Sequence, residues 1–75
     1  MKYDVDFIVE EFADRLAYMI EERGLTVGEF AKLVGTDYYS VWAWTQNVAK
    51  PTLRNLLRIL NALDMTLDEF VGLEV

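Results

Sequence analysis

One stretch of the chain carries side chains suited to recognition, Asp37-Tyr38-Tyr39-Ser40-Val41-Trp42-Ala43-Trp44. Val41 and Trp44 are three residues apart, so on a helix they share a face, and that face is expected to turn inward. Tyr38, Tyr39, Trp42 and Ala43 then fall on or near the outer face. One helix face cannot bury all of these aromatics together with Val41 and Trp44. Exposed, they make an apolar patch with polar tips, a composition typical of protein interfaces. Tyr and Trp are also the usual hot-spot residues. The same groups can serve nucleic acid, because tyrosine hydroxyls reach phosphates and aromatic or alanine carbons touch thymine methyls.

Catalytic chemistry has little to stand on. The chain has no histidine and no cysteine, which removes the commonest general base, the commonest metal ligand and any thiolate. There is no nucleophile beside a base, no glycine-rich phosphate loop and no metal-ligand spacing. Ser40 is the only serine and is better explained as a first-turn helix residue. The reading is therefore of a non-enzyme without cofactor or metal. No apolar run approaches the length of a signal segment or a membrane span, so the cytoplasm is the expected compartment.

The net charge is −6 and the isoelectric point about 4.4, which argues against indiscriminate nucleic-acid binding. The charge is unevenly spread. Residues 1–29 hold three basic and eight acidic groups, and residues 64–75 hold four acidic groups and no basic one. Residues 30–63 hold Lys32, Lys50, Arg54 and Arg58 against Asp37 alone. The segment with the aromatic stretch is thus the one basic part of an acidic protein.

The elements that position these residues are all helical. Seventy-five residues make one small domain, marginal in core size, so tight helix packing or self-association must supply stability. Residues 1–5 read as a short arm. A first helix is expected from about Phe7 to Arg23, with Asp4 or Asp6 as cap, Gly24 as stop, and an apolar stripe of Ile8, Phe12, Leu16 and Ile20 with Met19 alongside. Residues 25–47 read as two short helices around a tight turn. Thr26 and Glu29 have capping-box spacing, Leu25 and Phe30 staple spacing, and Gly35 stands where the helix must stop. Asp37 caps the next helix, about Tyr38 to Gln46, and Asn47 is its left-handed stop. Val48 to Pro51 form a loop, and Thr52 caps a fourth helix, about Leu53 to Leu63. That helix is expected to turn Leu53, Leu56, Leu57, Leu60 and Leu63 inward, with Ile59 flanking. Thr66 and Glu69, with Met65 and Phe70, repeat the box and staple and open a short fifth helix ending near Gly72. No strand signal survives beside these periods.

This order of features resembles the helix-turn-helix of the phage repressor and Cro family, the XRE type. The matching residues are Leu25-Thr26, Phe30-Ala31, Val34-Gly35, Val41, Trp44, Pro51-Thr52-Leu53, Leu56, Ile59, Leu63 and Met65 to Phe70, so the likeness spans roughly residues 7–71. It implies a compact all-α five-helix lambda-repressor-like fold whose second and third helices face DNA. Tyr38, Tyr39, Trp42 and Ala43 would then approach base edges, where polar side chains that pair with bases are expected. Thr26, Lys32, Gln46, Asn47, Lys50, Thr52 and Arg54 are the candidates for phosphate contact, aided by free N–H groups at the starts of the second and fourth helices. Val27 stands where the family commonly has a glutamine on the backbone. Two functions follow. One is a transcriptional regulator on operator DNA, read as a dimer because one helix spans only a few base pairs. The other is a protein-binding module, such as an antirepressor or antitoxin, that engages another regulator through the aromatic helix.

Overall fold

A computed structural model describes residues 1–73; Glu74 and Val75, the last two of the expected 1–75 domain, lie outside the described residues. The chain forms five helices: α1 (Val5–Glu22), α2 (Val27–Val34), α3 (Tyr38–Thr45), α4 (Leu53–Leu63) and α5 (Leu67–Phe70). Among the described residues there is no strand.

Helix starts are set by side chains that satisfy backbone N–H groups no carbonyl can reach. The Asp4 carboxylate accepts from the Phe7 N–H at 3.3 Å, so α1 begins two residues earlier than the periodicity predicts. At α2 the Thr26 hydroxyl accepts from the Glu29 N–H at 3.1 Å, and the Glu29 carboxylate accepts from the Thr26 N–H at 2.9 Å, a complete capping box. The same pair of distances recurs between Thr66 and Glu69 at α5. Asp37 caps α3 through the Ser40 N–H at 2.7 Å, and Thr52 caps α4 through the Asn55 N–H at 3.2 Å. Gly35 ends α2 at φ 87°, and Asn47 takes φ 60° beyond α3, the left-handed conformation expected of both.

The core collects Phe12, Leu16 and Ile20 from α1, Phe30, Ala31 and Val34 from α2, and Val41 and Trp44 from α3. Ile59, Leu60 and Leu63 come from α4, and Phe70 and Val71 from α5 and its end. Phe12 and Phe70 meet with ring centroids 5.3 Å apart, bringing α5 onto the middle of α1. Each fully enclosed side chain of this size contributes about 1.5–3 kcal/mol. Two arginines of α1 add polar ties. Arg15 Nη1 donates to the Phe70 carbonyl at 3.2 Å, and Arg23 Nη2 donates to the Leu63 carbonyl at 2.6 Å. Both meet the carbonyl end of another helix, where a cation is favoured.

Two expectations need correction. Leu53 and Leu57 do not face inward: they are 72% and 54% exposed, while Ile59 is fully buried. The inward face of α4 is Leu56, Ile59, Leu60 and Leu63, at helical spacing i, i+3, i+4 and i+7. Residues 1–5 are not a free arm. The Tyr3 hydroxyl donates to Asp68 Oδ1 at 2.5 Å, Lys2 Nζ lies 2.7 Å from Asp68 Oδ2, and Val5 already belongs to α1.

Candidate nucleic-acid interface

The aromatic stretch divides as its spacing demands. Val41 and Trp44 are 0% and 4% exposed, and Trp42 is 37% exposed. Tyr38 and Tyr39 stand out further still. The Tyr39 and Trp42 rings lie 5.6 Å apart at a tilt of 34°, so they form one surface. The Tyr38 ring reaches the first turn of α2, where a Cβ built on Gly28 would meet it at 3.8 Å. Tyr38 therefore spans the gap between the two helices of the turn motif.

Ala43 does not belong to this surface, contrary to expectation: it is 2% exposed. It lies about 100° around the helix from Trp44, and what encloses it is the chain after α3, which folds back over it. The Ala43 carbonyl accepts from the Val48 N–H at 2.9 Å and from the Ala49 N–H at 3.3 Å. A side chain under that return cannot touch a base or a partner.

The polar candidates lie at the ends of the helices. Thr26 and Thr52 are the caps of α2 and α4; Lys32 is in the last turn of α2; Gln46 and Asn47 close α3. Lys50 Nζ donates to Asn47 Oδ1, so the loop holds these two side chains together. Arg54 is exposed in the first turn of α4. Arg58, one turn further on, donates to Asn55 Oδ1 at 3.5 Å; it was absent from the sequence-based candidates, though its spacing from Arg54 puts both on one side of the helix.

Helix starts differ in what they can offer an anion. The start of α2 is already occupied by the Glu29 carboxylate, and the hydrogen bond from the Thr26 N–H holds that carboxyl below the usual range. The start of α3 carries Asp37, whose carboxyl is likewise lowered by the Ser40 N–H. The first turn of α4 has no acidic residue and ends in the neutral cap Thr52. Of the two helix starts expected to meet phosphate, α4 therefore presents the field an anion favours, and at α2 an internal carboxylate already takes the Thr26 N–H.

The chain matches the family of Cro/C1-type helix-turn-helix DNA-binding domains over residues 15–75, and it belongs to that family. No curated protein and no solved structure matches it. The family assignment covers α2 to α5 and the second half of α1, and so includes every candidate contact described above. Among the described residues no helix is long and apolar enough to cross a membrane.

Proposed function

We propose that the chain acts as one helix-turn-helix domain, a small cytoplasmic transcriptional regulator of the phage repressor and Cro type that binds operator DNA as a dimer. In this reading α3 lies in the major groove. Tyr38, Tyr39 and Trp42 meet base edges, chiefly through contact with thymine methyls. Lys32, Lys50 and Arg54 neutralise phosphates, and Gln46, Asn47, Thr26 and Thr52 hydrogen-bond to them. The free N–H groups at the start of α4 add to the Arg54 and Lys50 contacts.

The observation that carries the reading is the disposition of the basic side chains. Lys32, Lys50, Arg54 and Arg58 are exposed, lie in the turn motif or just after it, and none has a carboxylate within ion-pair distance among the described residues. In an acidic protein this gathers the positive charge that has no carboxylate partner into the turn motif and the segment just after it. The test is selection from randomised duplexes followed by titration at several salt concentrations. Enrichment of a sequence with two related half-sites, with log affinity falling by about 0.9 per neutralised phosphate for each unit of log salt, is expected. Affinity that ignores both sequence and salt would overturn the reading.

A second reading has its own support. The exposed face of α3 has no arginine, lysine, asparagine or glutamine, and Asp37 keeps its negative charge at the helix start. Such a face suits another regulator, as for an antirepressor or antitoxin, better than bases and phosphates. A partner complex that ignores salt and is lost on Trp42→Ala would favour this function.

A further inference from the structure

We propose that the groove between the end of α1, the start of α2 and the end of α3 binds a small organic cation, an apolar body with one ammonium group, and that its occupancy weakens operator binding. The groove holds about 470 Å³, within the usual range of small-molecule sites. Ala17, Ile20, Leu25 and Val27 make its apolar surface. Ile20 is buried and the other three are half-buried, so a ligand's apolar body has a wall to cover. An apolar cavity of about 150 Å³ accepts a benzene ring, so this groove takes a ring with a short chain.

The polar groups decide the head of the ligand. The Thr26 hydroxyl is taken by the Glu29 N–H, and the Thr45 hydroxyl donates to the Trp42 carbonyl at 2.8 Å. Glu21 supplies the one formal charge of the lining. The neighbouring Arg23 turns away to the Leu63 carbonyl, and among the described residues Glu21 has no cation within ion-pair distance. The ends of α1 and α3 reach the groove with their carbonyl poles, and neither helix has a basic residue in its last turn. A carboxylate and two negative helix ends together favour a cation. Thr26 and Gln46, the phosphate contacts of the operator complex proposed above, also line the groove. A molecule seated there takes the space a phosphate needs, so the cation acts as an inducer, and that half of the proposal rests on the operator reading.

The test is NMR titration of the whole chain with 4-phenylbutylamine, 4-phenylbutanol and 4-phenylbutyrate, which share one body and differ in the charge of the head. The titration contains no DNA, so failure of the operator reading is not mistaken for failure of the site. The amine is expected to bind with a Kd of about one millimolar and to shift the amides of Gly24, Leu25, Thr26 and Gln46. The alcohol should bind about fivefold more weakly, and the acid more weakly still. Glu21→Gln, an exposed substitution that leaves the core untouched, should bring the amine to the alcohol's affinity. With operator DNA, amine at about ten times its Kd should lower wild-type affinity by about tenfold, and that of E21Q by about threefold. No shift of these amides, an acid that binds as tightly as the amine, or an unchanged amine affinity in E21Q would each overturn the site. Amine bound with operator affinity intact would overturn the inducer role.

Discussion

Two sets of basic side chains divide the molecule. Lys2, Arg15 and Arg23 each end on an acceptor of the chain itself: the Asp68 carboxylate, the Phe70 carbonyl and the Leu63 carbonyl. Lys32, Lys50, Arg54 and Arg58 end on neutral groups or on solvent, and they lie on or beside the turn motif. The residue types are the same and the sequence offers no label. What separates them is whether another helix presents a carbonyl end or a carboxylate within reach. The first set holds α4, α5 and the N-terminal residues against the fold; the second is free for a partner.

The same divide runs through the two tryptophans, and there it has its largest expected effect. Trp44→Ala should lower stability by about 3–5 kcal/mol, the cost of emptying a buried aromatic site. Trp42→Ala should change it by less than about 1 kcal/mol while altering the preferred base pairs, or abolishing the protein complex under the second reading. Chemical denaturation of both variants decides the matter, and equal losses would erase the distinction between the two faces of α3. Next in size is Arg23→Ala, expected to cost about 1–2 kcal/mol for a charged hydrogen bond on a partly exposed side chain. Its DNA affinity should keep the same salt slope.

Lys50→Ala and Arg54→Ala sharpen the comparison from the other side. Each should leave stability within about 0.5 kcal/mol and flatten the slope of log affinity against log salt by about one. Denaturation and salt titration on the same preparations check both halves. The smallest effect concerns the Tyr3–Asp68–Lys2 contact. The hydrogen bonds from Lys2 and Tyr3 lower the Asp68 carboxyl, and the bond to Asp68 raises both the Lys2 ammonium and the Tyr3 hydroxyl. The Asp68 contribution is present above the ordinary carboxylate range and lost as pH falls through its depressed folded value. The Lys2 and Tyr3 contributions are full below their ordinary values and lost as pH rises through the raised ones. NMR signals of the Tyr3 ring should therefore be constant through neutral pH and shift at both extremes. Asp68→Asn should remove the acid limb.

Features fixed by a few consecutive residues were legible in the sequence. The Thr26–Glu29 and Thr66–Glu69 boxes, the Asp37 cap, the Gly35 stop and the left-handed Asn47 depend on local geometry, and all are present. What depended on distant neighbours was misread. The fourth helix holds more apolar residues than one face takes, and only the packing of α1, α2 and α5 selects Ile59 over Leu57. Ala43 was placed by its angle on α3, but the return of residues 48 and 49 buries it. Tyr3 pairs with a residue 65 positions away, a contact no local pattern encodes. The exposed aromatic face of α3 was legible to the extent that helix period separates Trp42 from Trp44.

The placement of those two indoles has an optical consequence. They sit two residues apart on one helix, yet one ring lies in a packed interior and the other borders water. Emission from the enclosed ring should be blue-shifted and should change only when the domain unfolds. Emission from the outer ring should be red-shifted, open to iodide quenching, and altered when a partner covers α3. Trp42→Phe leaves a pure reporter of folding, and Trp44→Phe, where the smaller ring is tolerated, leaves a pure reporter of binding. The chain thus contains its own pair of probes, with no external label.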